Sequence, residues 1–245
     1  MISAPVGFQC PECSRGGQPN VKIIRPSDSF WNSLPVVTRS IIAACVGAFL
    51  IAMATGGQLN AAYSFGMSPI LVAQGEWWRL VTSTFLHINI MHILFNMYAL
   101  LVLGSSLERT IGQARFTLIY AFSAFGGSVA SFWFSDLLTL GVGASGAVFG
   151  LMTATVVVGR ALRTDVNQIL FWLGLNIIFG FLSPGIDWRA HLGGALIGAV
   201  VARIIVRSRS NKFTRAQISS MTILGLGLLG LVAIRVSAIL SLSGN

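Results

Sequence analysis

The chain has 245 residues, of which 54% are hydrophobic and only 9% charged. Soluble domains carry about 25% charged residues, so a water-soluble globular protein is excluded. Lys and Arg outnumber Asp and Glu by 16 to 7, but where those charges fall argues against nucleic acid as a partner.

Residues 1–38 hold five of the seven prolines (Pro5, Pro11, Pro19, Pro26 and Pro35) and read as a poorly ordered tail. Cys10-Pro-Glu-Cys13 has metal-ligand spacing. Zinc needs four ligands, and with no second pair or nearby His in the chain, neither a metal nor another cofactor is expected. Seven apolar runs follow, at about 40–56, 88–106, 116–134, 145–159, 168–182, 190–206 and 219–241. They approach or reach the ~20 residues that a bilayer span requires. The first begins too far from Met1 to be a signal peptide, and Cys45 within it reads as packing. The connection 57–87 is long for a hairpin link and contains "GEWWRLVTSTFLH". That segment predicts a short interfacial helix, with Trp77 and Trp78 at headgroup level and Arg79 snorkelling. Residues 39–206 form a core of six spans. Residues 207–245 supply a basic linker and a seventh helix, whose "LGLGLLG" offers small residues for packing on that core.

Thirteen of the sixteen basic residues lie on alternate connections: before span one, between spans two and three, between four and five, and at or after the end of six. The opposite connections hold only Arg79 and Arg189, and Arg235 sits inside span seven. The positive-inside rule then places the N-terminus in the cytoplasm and the C-terminus outside. Seven crossings require the same arrangement. The expected class is an all-α polytopic protein of the cell membrane.

Polar residues inside a membrane are costly and point to function. His92 and Asn96 share a helix face near the start of span two, Ser145 starts span four, and His191 starts span six. Spans two, four and six run in the same direction, so all four residues converge on one layer near the outer surface. Span four is short: from Ser145 to Gly159 it has 15 residues, roughly 22 Å at ~1.5 Å per residue. The hydrocarbon core is about 30 Å thick. Ser145 therefore starts its helix below the surface, where protein or a wet cavity must surround the backbone. Gly146 and Gly150 on span four, and Gly194 and Gly198 on span six, form small-xxx-small faces that let two helices approach closely. A Ser–His hydrogen bond between helices needs that approach.

These residues resemble the rhomboid family of intramembrane serine proteases. The matching segments are Trp78-Arg79, "HILFN" with His92 and Asn96, "GASG" at 143–146, and "AHLGGALIG" from Ala190 to Gly198. His87 stands five residues before His92, as a second histidine does in relatives. The resemblance covers about residues 40–206, and the last helix resembles the six-plus-one bacterial type. It implies a rhomboid-like six-helix bundle plus one C-terminal helix, with transmembrane proteins as substrates. It also implies a catalytic dyad of Ser145 and His191, with His92, Asn96 and the Ser145 backbone N–H receiving the oxyanion. Gly143, Gly146, Gly194 and Gly198 would support the site, and Phe149 would pack on the catalytic histidine. Asp187, four residues before His191, falls in the outer loop, and no triad is claimed. "VGFQCPEC" is similar to the end of a Cys/His-rich module found before some actinobacterial members; either a longer natural product or a decayed module accounts for it.

Two other readings stand beside the protease. A catalytically dead relative that escorts membrane clients is disfavoured by the retention of both Ser145 and His191. A proton-coupled transporter using His92 and His191 as relays is disfavoured because no Asp or Glu lies deep in a span. For the protease, "FLSPGIDW" (181–188) predicts a mobile turn at Pro184 and Gly185 capping the site. Phe171 and Trp172 on span five are either gate residues or simply lipid-facing.

Overall fold

The structure is a computed structural model that describes residues 2–4, 7–9, 30–183, 185–208 and 212–243. Cys10, Cys13 and Pro184 lie outside the described residues. The chain divides into two units, Met1–Leu34 and Pro35–Asn245. In the first, β1 (Ile2–Ala4) pairs antiparallel with β2 (Gly7–Gln9), Ile2 opposite Gln9, and α1 (Phe30–Ser33) follows.

The second unit contains α2 (Val36–Ala54), α3 (Gln58–Phe65), α4 (Pro69–Ala73), α5 (Arg79–Thr82) and α6 (Ile90–Ile111). After these come α7 (Gln113–Phe134), α8 (Ser145–Ala161), α9 (Asn167–Leu182), α10 (Trp188–Val206) and α11 (Arg215–Ser243). Among the described residues five helices (α2, α6, α7, α10 and α11) are long and apolar enough to cross a membrane, and α8 and α9 are shorter apolar helices. The seven apolar runs thus correspond to seven helices. Residues Leu100–Gly104 of α6 form a π-helical turn.

The ends of these helices depend on partners distant in sequence. Pro35 precedes α2 and gives no side-chain cap. The Glu108 carboxylate of α6 does so instead: it accepts from the backbone N–H of Val37 at 3.0 Å and of Thr38 at 2.7 Å, and from the Thr38 hydroxyl at 2.8 Å. Three donors to one buried carboxylate satisfy the open first turn of α2 and fix it against α6. Gly112, at φ 84°, makes the turn from α6 into α7, a backbone conformation that a Cβ disfavours.

Arg79 departs from expectation. It is buried at 4% exposure rather than snorkelling. Its guanidinium pairs with Glu76 at 2.6 Å and donates to the carbonyls of Tyr63 at 2.9 Å and Gly66 at 2.8 Å. The connection 57–87 folds back on itself, and the carbonyls at the end of α3 need a donor that only a long cationic side chain reaches. Trp77 and Trp78 remain exposed.

The main core lies among α2, α6, α7, α8 and α10, joined by Met221 of α11, with Leu100, Phe116, Ile119, Leu151 and Val201 fully enclosed. A second cluster joins Met67, Val72, Leu80 and Phe132 to Ile239 of α11. The seventh helix therefore packs on α7 and the folded connection, and its start also meets the far end of α10, where the buried Gln217 amide donates to the carbonyls of Ile204 at 3.1 Å and Ile205 at 2.9 Å.

Candidate active site

Small residues on three helices set the site's geometry. Along α7 they are Ser123, Gly127 and Ser131, four apart; on α8 they are Gly146 and Gly150, and on α10 Gly194 and Gly198. A Cβ at Gly194 would collide with the Gly146 carbonyl, and one at Gly198 would stand 2.5 Å from the Gly150 Cα. A Cβ at Gly127 would be 2.8 Å from the Ala190 carbonyl, and one at Gly146 3.2 Å from it. Backbone therefore touches backbone between α8 and α10, with α7 closing the third side. Thr153 of α8 adds an interhelical bond, its hydroxyl donating to the Ala195 carbonyl at 2.7 Å. Such packing replaces the hydrophobic drive that helices lack inside lipid.

Ser145 opens α8 and His191 stands in the first turn of α10. Their side chains meet, with His191 Nε2 2.8 Å from Ser145 Oγ. Phe149, one turn after Ser145, stacks on the His191 ring with centroids 4.2 Å apart and planes 13° from parallel. This contact holds the imidazole plane toward the serine. Among the described residues His191 Nδ1 has no hydrogen-bond partner; Gly180 of α9 faces it, where a Cβ would lie 3.4 Å away. The loop before Ser145 is anchored at two points. Gly141 exchanges backbone bonds of 2.8 and 2.9 Å with Met67, and the Gly143 N–H donates to the Ser83 carbonyl at 2.9 Å. Gly143 has φ 133°, and a Cβ there would be 2.7 Å from His92 Nε2. Both constraints call for glycine.

His92 and Asn96 are on α6, on the Gly143 side of the serine. Asn89 caps α6 by accepting from the His92 N–H at 2.8 Å. Asn96 is buried, and its side-chain amide donates to the His92 carbonyl at 2.9 Å, which leaves its second N–H. Ser145, His92 and His191 are all half-buried, so they are packed yet reachable. The structure thus brings together Ser145, His191, His92, Gly143, Gly146, Phe149, Gly194 and Gly198, with Asn96 one turn along α6 from His92. No group of three or more His, Cys, Asp or Glu able to hold a metal occurs among the described residues.

Sequence reasoning did not place three neighbours of this site. His87 is buried with neither ring nitrogen hydrogen-bonded among the described residues, edge-on to His92 at 5.0 Å between centroids. Burial pushes its imidazole down to about 4, and the His92 ring acts in the same direction. Asp187 binds Ser131 of α7, and the Ser123–Gly127–Ser131 face of α7 completes the glycine contacts. The spacing of that α7 face was the available signal. Phe171 and Trp172 are exposed and pack edge to face on each other at 5.6 Å. They lie about nine residues from Gly180, ~13 Å along α9, in the half of that helix away from His191. Phe181 instead lies at the level of the site, against Trp188 with centroids 4.7 Å apart.

Residues 74–208 match the family model described as "Rhomboid domain", more than half of the chain. The chain belongs to the rhomboid family. Its rhomboid relatives include the rhomboid protease GluP of Bacillus subtilis, 36% identical over 205 residues that cover 80% of this chain and 40% of GluP. RHOMBOID-like protein 6, mitochondrial, of Arabidopsis thaliana is 37% identical over 143 residues, covering 55% of this chain and 46% of the relative. The rhomboid protease AarA of Providencia stuartii is 34% identical over 157 residues, covering 52% of this chain and 56% of AarA. This rhomboid therefore spans about half the length of these relatives, and it is a multi-pass membrane protein built as a rhomboid bundle with a seventh helix.

Proposed function

We propose that this rhomboid is an intramembrane serine endopeptidase that cleaves transmembrane proteins within or near their membrane segments. The observation that carries the reading is the 2.8 Å contact between His191 Nε2 and Ser145 Oγ, at the head of a helix too short to span the membrane fully. Ser145 Oγ attacks the substrate carbonyl while His191 Nε2 takes its proton, then returns that proton to the leaving amine. The carbonyl oxygen becomes an oxyanion. Ser145 N–H, in the first turn of α8 where backbone donors lack intrahelical partners, faces it together with His92 Nε2–H and the second N–H of Asn96. A donor preorganised for that charge is worth about 2.7–4 kcal/mol. Water then resolves the acyl-enzyme by the same route.

The names of GluP and AarA as rhomboid proteases support the same chemistry. The distribution of Lys and Arg supports a cytoplasmic N-terminus, with the dyad toward the extracytoplasmic face. The catalytically dead relative remains the contrasting reading. Ser145→Ala and His191→Ala are expected to abolish cleavage of a transmembrane substrate in liposomes while the protein stays folded. A fluorophosphonate probe should label the wild-type protein and not Ser145→Ala. Absence of labelling on folded wild-type protein would decide for the dead relative.

A further inference from the structure

Asp187 is the N-cap of α10, its Oδ1 accepting from the Ala190 N–H at 3.1 Å. Its Oδ2 accepts from the hydroxyl of Ser131, a residue of α7 only 1% exposed. Since the one Ser131 proton goes to the carboxylate, Ser135 supplies the proton in the 3.2 Å bond between the two serines. The carboxylate also lies against the loop leading to Ser145, because a Cβ at Gly141 would be 3.4 Å from Oδ2. Asp187 thus joins three parts of the site: the start of α10, the end of α7 and the loop before α8. No cation pairs with it among the described residues. Arg189, the nearest in sequence, turns its guanidinium over the Trp188 ring at 4.8 Å.

The position matters because of His191. It is the fourth residue of α10, and a helix N-terminus carries roughly half a positive elementary charge. When His191 takes the Ser145 proton it becomes a cation at that end. The other groups facing it give no compensating negative charge: Ser145 and Phe149 from α8, Gly180 from α9, and His92 from α6. Its own Nδ1 has no acceptor among the described residues. We infer that Asp187 is a positioning residue of the dyad, an ionised cap whose carboxylate offsets the positive end of α10 and so stabilises the imidazolium formed during proton transfer. This rests on the Ser145–His191 reading. It differs from a triad in that the carboxylate acts through space and through the helix it caps, with no bond to the imidazole.

Asparagine separates charge from cap, since its carboxamide oxygen caps a helix about as well as Asp while its NH2 takes the place of Oδ2 and donates to the Ser131 hydroxyl oxygen. In the full chain, with a fluorogenic transmembrane peptide in liposomes, Asp187→Asn should lower kcat about five- to tenfold, the size of a charge effect at a helix end. KM should stay within about twofold and the melting temperature close to wild type. Asp187→Glu, which keeps the charge, should recover part of the lost kcat. Ser131→Ala should lower the melting temperature and lose less kcat than Asp187→Asn. Wild-type kcat in Asp187→Asn overturns the inference. So does an equal loss of kcat in Asp187→Asn, Asp187→Glu and Ser131→Ala, which would make the effect one of geometry alone. Ser145→Ala serves as the control. Activity in that variant would remove the dyad itself, whereas a dead Ser145→Ala beside a fully active Asp187→Asn would remove only the role of Asp187.

Discussion

Asn96 approaches the site with one amide proton already committed to the His92 carbonyl at 2.9 Å, and that bond fixes the direction of the other. A donor held this way contributes most when charge develops on the substrate oxygen, and little to the bound ground state. Asn96→Ala is therefore expected to lower kcat about a hundred- to a thousandfold with KM nearly unchanged, while His92 and the Ser145 N–H still face the oxyanion. A rise in KM at constant kcat, measured on the same transmembrane peptide, would make Asn96 a binding residue instead. At this scale the sequence was informative wherever a polar side chain stood in an apolar run. Ser145, His92, Asn96 and His191 were all visible because an unexplained polar group at membrane depth demands a role. Arg79 was misread for the converse reason. Directly after two tryptophans it looks interfacial, and nothing local reveals that the carbonyls of Tyr63 and Gly66 need its donors.

Helices α8 and α10 meet through their glycines, and a Cβ at Gly198 would stand 2.5 Å from the Gly150 Cα and 2.7 Å from its carbonyl carbon. Backbone cannot yield as a side-chain tip can, so even the smallest addition must push the helices apart. Gly198→Ala is expected to cost about 1–3 kcal/mol, the range for overpacking a close contact. Activity should fall with it, because the displaced helix carries His191. The check is a paired measurement of melting temperature and cleavage rate, with wild-type values in both contradicting the close contact. The α8 and α10 faces were legible from glycine spacing. The Ser123–Gly127–Ser131 face of α7 has the same period but alternates serine with glycine, and so did not stand out. The Glu108 cap on α2 was not legible at all. It joins residues 70 and 71 positions apart, and no local pattern in either helix specifies the other.

Across the whole molecule the helices are held very unequally. The seventeen residues of α8 include eleven that are buried, whereas the sixteen of α9 include only Gly180. Among the seven apolar helices α9 is thus held by the fewest buried residues, and Gly180 places it directly beside His191. On the proposed function the substrate is itself a helix in the bilayer, and for a Ser145–His191 dyad at the head of a short helix, lateral access past α9 would be the short path. Phe171 and Trp172 sit toward the far end of α9, so displacement of the helix as a body would open more of that path than trimming those two rings. An engineered disulfide joining α9 to α6 is expected to slow cleavage of a transmembrane substrate several-fold, with the rate restored by reductant. Labelling by a small fluorophosphonate, which needs no lateral opening, should continue at nearly the wild-type rate in the oxidised protein. Equal slowing of both would mean that the tether distorts the dyad, and unchanged cleavage would show that substrate reaches Ser145 without moving α9.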